Sequence, residues 1–173
     1  GTLKITGPRN GPDIDADLDA TGLRYGSYHA ATLSVRGRLP WQNGNGNLAI
    51  TGTGIEAGMT FDRLEAHATG AMEHLALTAN ASGGMGQFSV TGNALKQGND
   101  WRGTLSSLHL APVKGAAWQL QSPAQFAQHG SNWTLSQSCF SSTAGGSLCA
   151  NAEWPRRGVQ VDGHGLPLAL ALP

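Results

Sequence analysis

The chain lacks a net charge, a long apolar run, a bulky aliphatic composition and any catalytic signature, and each absence closes off a class of function. Its 11 Lys and Arg balance its 11 Asp and Glu, and charged residues make up only 13% of the 173. No basic field exists that could hold nucleic acid. No stretch approaches the ~20 apolar residues that a membrane-crossing helix requires. No signal-peptide pattern opens the chain, because Gly1 leads straight into strand-like residues.

Leu, Ile, Val and Phe together supply about 19% of the residues, near the poor end for a globular domain. A thick core is therefore not expected. Disorder is not expected either, since it needs high net charge beside low hydrophobicity. The 25 glycines, with many Ser, Thr, Asn and Gln, fit short strands joined by tight turns.

Catalytic and metal chemistry find no constellation. His29, His67, His74, His109, His129 and His164 are scattered, without an HExxH motif or a carboxylate at ligand spacing. Asp13, Asp15, Asp17 and Asp19 share one strand face but lack the glycine and terminal glutamate of a calcium loop, so a solvated surface is expected. We expect no enzyme activity, no metal and no cofactor. Trp41, Trp101, Trp118, Trp133 and Trp154 are spread widely enough to read as strand-end anchors.

What the chain does contain is a repeated alternation. Leu3-Lys4-Ile5-Thr6-Gly7, Leu33-Ser34-Val35-Arg36-Gly37, Leu48-Ala49-Ile50-Thr51-Gly52 and Phe88-Ser89-Val90-Thr91-Gly92 all read apolar, polar, apolar, polar, glycine. That is a period of two ended by a turn residue. Ile14 to Asp19, Leu75 to Ala79, Val159 to Asp162 and Leu166 to Leu172 alternate in the same way. Leu64 to Leu75 also keeps helical spacing, but Gly70 would weaken a helix there, so strand is the expectation and helix the alternative.

Cys139 and Cys149 flank the turn signal Ala144-Gly145-Gly146 and could face each other across a hairpin. A disulfide in an oxidising compartment is the expected pairing, with two buried thiols as the alternative. Opposing these cysteines conflicts with the parity of Trp133 and Leu135, which a bulge between Leu135 and Cys139 would reconcile.

A sheet with one apolar face and no helices to cover it must close as a barrel, fold on a second sheet, or curl around an apolar trough. Many inward positions are alanine, among them Ala16, Ala31, Ala66, Ala68, Ala79 and Ala81. The interior is therefore shallow, and we expect an all-β, mostly antiparallel curved sheet forming an open groove, with a closed β-barrel or β-sandwich as the alternative. An exposed apolar trough normally marks a binding site for something apolar.

Several segments resemble the TamB family, the translocation and assembly module proteins of Gram-negative envelopes, which are related to AsmA-like proteins. They are Trp101-Arg102-Gly103-Thr104-Leu105, Leu108-His109-Leu110, Trp118 through Ala124, Cys139-Phe140, Leu148-Cys149-Ala150 and Trp154. This stretch is similar to the middle-to-late part of such proteins. Gly11 to Leu18, with Leu23-Arg24-Tyr25, resembles the β-repeats of the same family.

The resemblance implies a long, continuously hydrogen-bonded sheet bent like a taco around an apolar groove. It implies a periplasmic bridge anchored in the inner membrane and reaching an outer-membrane barrel partner of the TamA type. Phospholipid transport and outer-membrane protein assembly, including that of autotransporters, are the implied activities. Residues 1–173 are then a single β-rich fragment of a longer envelope-spanning protein. A β-rich adhesin or carbohydrate-binding module, working through its polar face, is the alternative function.

Strand parity gives the expected lipid groove: Leu3, Ile5, Ile14, Leu18, Leu33, Val35, Leu48, Ile50, Leu75, Leu77, Phe88, Val90, Leu105, Leu120, Val159, Val161, Leu168 and Leu170. The competing reading is that these side chains fill a closed β-core.

Overall fold

The structure, a computed structural model, describes residues 1–6, 13–39, 44–56 and 60–166. Among them it places thirteen strands and no helix. The first eight are β1 (Thr2–Thr6), β2 (Asp13–Tyr25), β3 (Tyr28–Leu39), β4 (Gly46–Glu56), β5 (Thr60–Ala71), β6 (His74–Gly83), β7 (Gly86–Gln97) and β8 (Asp100–Pro112). They are followed by β9 (Trp118–Leu120), β10 (Ala124–His129), β11 (Asn132–Ser142), β12 (Ser147–Trp154) and β13 (Gly158–His164).

All thirteen belong to one antiparallel sheet in which, apart from β9 and β10, each strand pairs with its chain neighbours. Tight turns make this possible. The hairpins at Gly26-Ser27, Gly98-Asn99 and Gly130-Ser131 carry positive φ only at the glycine, the residue pattern of two-residue turns whose twist matches that of the strands. The segment with mixed periodicity is strand: β5 occupies Thr60–Ala71, and Met72-Glu73 is the turn into β6.

One lane departs from the simple meander. β9 and β10 lie between β8 and β11 as a single interrupted strand, β9 pairing the far half of β8 and β10 the near half. The break at Gln121-Ser122-Pro123 aligns with two register shifts, at Thr91/Gly92 opposite β8 and at Leu135/Ser138 on β11. Bulges bend and twist a sheet locally, so this aligned row forms a crease across β8 to β12. Its backbone groups are satisfied locally. Gln121 N donates to Cys139 O at 2.8 Å, Gln125 N to Ser136 Oγ at 2.8 Å, and Ser138 Oγ to Ser136 O at 2.9 Å.

The sheet does not close. Among the described residues β1 pairs only with β2 and β13 only with β12, so the barrel alternative is not realised, and no second sheet covers the first. The core is correspondingly thin: the buried apolar residues are Ala16, Leu39, Met72, Leu75, Ala81, Ala94 and Ala124. Leu39, Met72, Leu75 and Ala94 cluster at one set of strand ends, and Ile14, Leu48, Ala68, Leu77, Trp101 and Phe126 pack against them. Lys96 N donates to Met72 O at 2.9 Å and ties that cluster across the hairpin ends.

Candidate functional site

The pairing registers decide which side chains share a face, because directly opposed residues point the same way. Ile5 opposes Ile14, Leu18 opposes Val35, Val35 opposes Ile50, Ile50 opposes Ala66, Ala66 opposes Ala79, and Ala79 opposes Val90. Val90 opposes Leu108, Leu105 opposes Ala124, Leu135 opposes Ala152, and Ala152 opposes Val159. A single aliphatic face therefore runs from β1 to β13. All sixteen groove candidates within the described residues lie on it; Leu168 and Leu170 fall outside those residues.

Their surroundings differ along the face. Leu48, Ile50, Leu77, Val90 and Leu105 line a hollow of about 520 Å³, together with Ala66, Ala68, Ala79 and Gly92 and with Phe126 and Leu135 from β10 and β11. Leu75, on the same face but outside the lining of that hollow, is 5% exposed inside the strand-end cluster. At the two lateral ends Leu3, Ile5, Val159 and Val161 are more than half exposed. Leu33 belongs to a second hollow of about 370 Å³ shared with Leu23, Tyr25, Tyr28, Ala30, Ile55 and Leu64.

Three parts of this face escape simple alternation. The register shift beside β8 brings Leu108 and Leu110 onto the same face as Leu105, although they are out of phase in sequence. Gly54, at φ 56°, turns β4 so that Ile55 falls over Gly52; a Cβ on Gly52 would lie 2.8 Å from Ile55 Cδ1. Phe126 and Leu135 stand in short polar segments with no repeated pattern to flag them. The signal that could have found them is the pairing of β8, β10 and β11, which sequence alone does not give.

The opposite face is polar and internally neutralised. Arg36 Nη1 lies 3.4 Å from Asp17 and its Nη2 2.5 Å from Asp19, while Arg38 lies 3.8 Å from Asp13. The acidic row of β2 is thus matched by the arginines of β3, as a solvated surface requires. Arg63 pairs with Glu65, and hydroxyls join neighbouring strands at Thr32–Thr53 and Thr91–Ser107, both 2.6 Å. The hydrogen bond to Ser34, and after it the guanidinium of Arg36, hold the Asp19 carboxyl below its ordinary range. No group of three or more metal-ligating side chains occurs among the described residues.

Cys139 and Cys149 are directly opposed and joined, with Phe140 opposite Leu148 on the alternate face and the expected bulge between Leu135 and Ser138. The pairing, the turn and the bulge all stand as the sequence implied.

The family model for the TamB N-terminal domain matches residues 1–157. The chain belongs to the TamB family. That model describes the N-terminal domain, which places the segment earlier in such proteins than the middle-to-late position its tryptophans and cysteines implied. No curated protein and no solved structure matches the chain. Membership in TamB gives the protein a role in the Gram-negative envelope. No helix among the described residues is long and apolar enough to cross a membrane.

Proposed function

We propose that this TamB segment carries phospholipid acyl chains along its aliphatic face, as part of a longer periplasmic bridge between the inner and outer membranes. The observation that carries the reading is the continuity of that face over every described strand, with an open hollow of about 520 Å³ at its centre. Exposing acyl chains to water costs about 0.8 kcal/mol per CH₂, so a continuous apolar path lowers the barrier between membranes. The face is built mainly from Ala, Val, Leu and Ile, which offer many weak, similar contacts and no deep trap. Twelve lanes at about 4.8 Å give a path on the order of 55 Å.

The segment works in this reading as a scaffold with no chemistry of its own. At its lateral ends, where Leu3, Ile5, Val159 and Val161 are exposed, the aliphatic face stays open among the described residues. An outer-membrane barrel of the TamA type receives the far end, and support of outer-membrane protein assembly follows from the same delivery.

Photocrosslinking in the parent protein tests this. A photoreactive residue in place of Leu77 captures phospholipid, one in place of Thr51 on the polar face does not, and Leu33→Arg abolishes capture at position 77 while the sheet persists by circular dichroism. Capture of glycan at position 51, of an unfolded barrel precursor at position 77, or of nothing at position 77 overturns the reading.

A further inference from the structure

The aliphatic face is not level. Phe126 on β10 is directly opposite Gly103 on β8, and its ring lies across that glycine: a Cβ at Gly103 would sit 2.2 Å from Phe126 Cζ. Ala94 and then Leu75 follow in the same cross-sheet row, so two small residues make a seat for the ring. Gly103 is buried in a strand interior, where glycine weakens a sheet unless something else needs its space. Here the ring needs it.

The seated ring has a position along the path as well as a partner. Phe126 borders the 520 Å³ hollow and packs against the Leu39, Met72, Leu75 and Ala94 cluster. Beyond it the row continues through Leu135, Ala152 and Val159 toward the exposed end of the sheet. Cargo leaving the hollow along this row of the face, toward β13, passes over this ring. The floor at this crossing is also tight: Ala124, two residues before Phe126, is 0% exposed, and Ser138 beyond the crease is 2% exposed.

We propose that Phe126, seated over Gly103, sets the clearance of the trough and makes this crossing the point that selects hydrocarbon cargo by cross-section. The inference rests on the lipid-carrying reading above. Straight acyl chains slide over a flat ring. Tails bearing a branch or a ring must displace it, and the ring already rests on the Gly103 backbone, where its Cζ and Cε1 fill the space a Cβ would take.

The test uses the parent protein in membranes, with a photoreactive residue in place of Leu77 or of Val161. Phospholipids with straight tails are compared with phospholipids carrying a bulky ring at mid-tail. With Phe126 in place, the ratio of bulky to straight lipid captured differs about tenfold between the two positions, the size of effect expected when extra carbon is forced into a close-packed site. Phe126→Ala brings the two ratios together. Phe126→Leu keeps an apolar filler and does the same in part, which guards against a folding defect in the alanine variant. Equal ratios at the two positions in the natural protein, or ratios unmoved by both variants while the disulfide and sheet persist, overturn the proposal. Absence of any lipid at position 77 in the natural protein is a different result: it overturns the lipid-carrying reading and takes this inference with it.

Discussion

Cys139 and Cys149 stand directly opposite each other on β11 and β12, with Cα atoms 4.0 Å apart, on the face of the sheet that the aliphatic row does not use. Their bond lies one residue past the register shift at Leu135/Ser138, where the ladder loses pairing. It staples the crease from outside and leaves the apolar side untouched.

Removing that staple lowers stability without altering the aliphatic face. The cysteines close a short loop, ten residues apart in sequence, for which loop-closure entropy gives about 2–3 kcal/mol. Replacing both cysteines with serine is expected to lower the stability extrapolated from urea denaturation, and with it the urea midpoint. An unchanged midpoint would show that the β11–β12 ladder holds the crease unaided.

The thin core makes stability depend on few side chains. Leu75, 5% exposed within the strand-end cluster, should cost about 2–5 kcal/mol on replacement by alanine. Val161, 57% exposed on the same face, should cost less than about 0.5 kcal/mol under the same change. Urea denaturation of the two variants separates a buried support from an open wall, and equal losses would mean that the outer end of the face is covered.

Much of this architecture was legible because a half-buried sheet writes its two faces into alternate residues. Leu33 and Val35, or Leu75 and Leu77, declare their face by spacing alone. The bulge near Cys139 was legible too, since the disulfide and Leu135 could not otherwise keep parity. What stayed hidden is whatever depends on pairing between distant strands. Leu108 and Leu110 change face through a register shift, Ile55 through a backbone turn at Gly54, and Phe126 joins the face through the pairing of β10 with β8 and β11. Openness was equally illegible, because the same alternation would serve a closed barrel.

Gly54 offers a direct check on that backbone turn. Its φ of 56° is left-handed, and a Cβ there would meet Ala31 Cβ at 2.8 Å. Gly54→Ala should therefore cost about 1–2 kcal/mol from the backbone conformation alone, with the steric contact adding to it. Gly84→Ala, at a hairpin tip with open space around it, serves as the control and should be nearly neutral. If both variants unfold at the same urea concentration, Gly54 does not hold the turn that brings Ile55 over Gly52.

The polar face should show its electrostatics only weakly and only toward acid. Asp19 hydrogen-bonds Ser34 and pairs with Arg36, which lowers its carboxyl in the folded protein relative to the unfolded chain. A depressed carboxylate contributes stability above the ordinary aspartate range, about 3.9, and that contribution is lost as pH falls through the lower folded value. Arg36 and Asp19 are both well exposed, so solvent and salt screen the pair heavily. Arg36→Ala is thus expected to leave a small stability gap near neutral pH that shrinks in about 1 M salt and closes as the solution is acidified below the folded pKa of Asp19. Urea midpoints followed across that range measure the gap. A gap that stayed the same size toward acid would mean that Arg36 stabilises the sheet through packing of its stem and not through the carboxylates of β2.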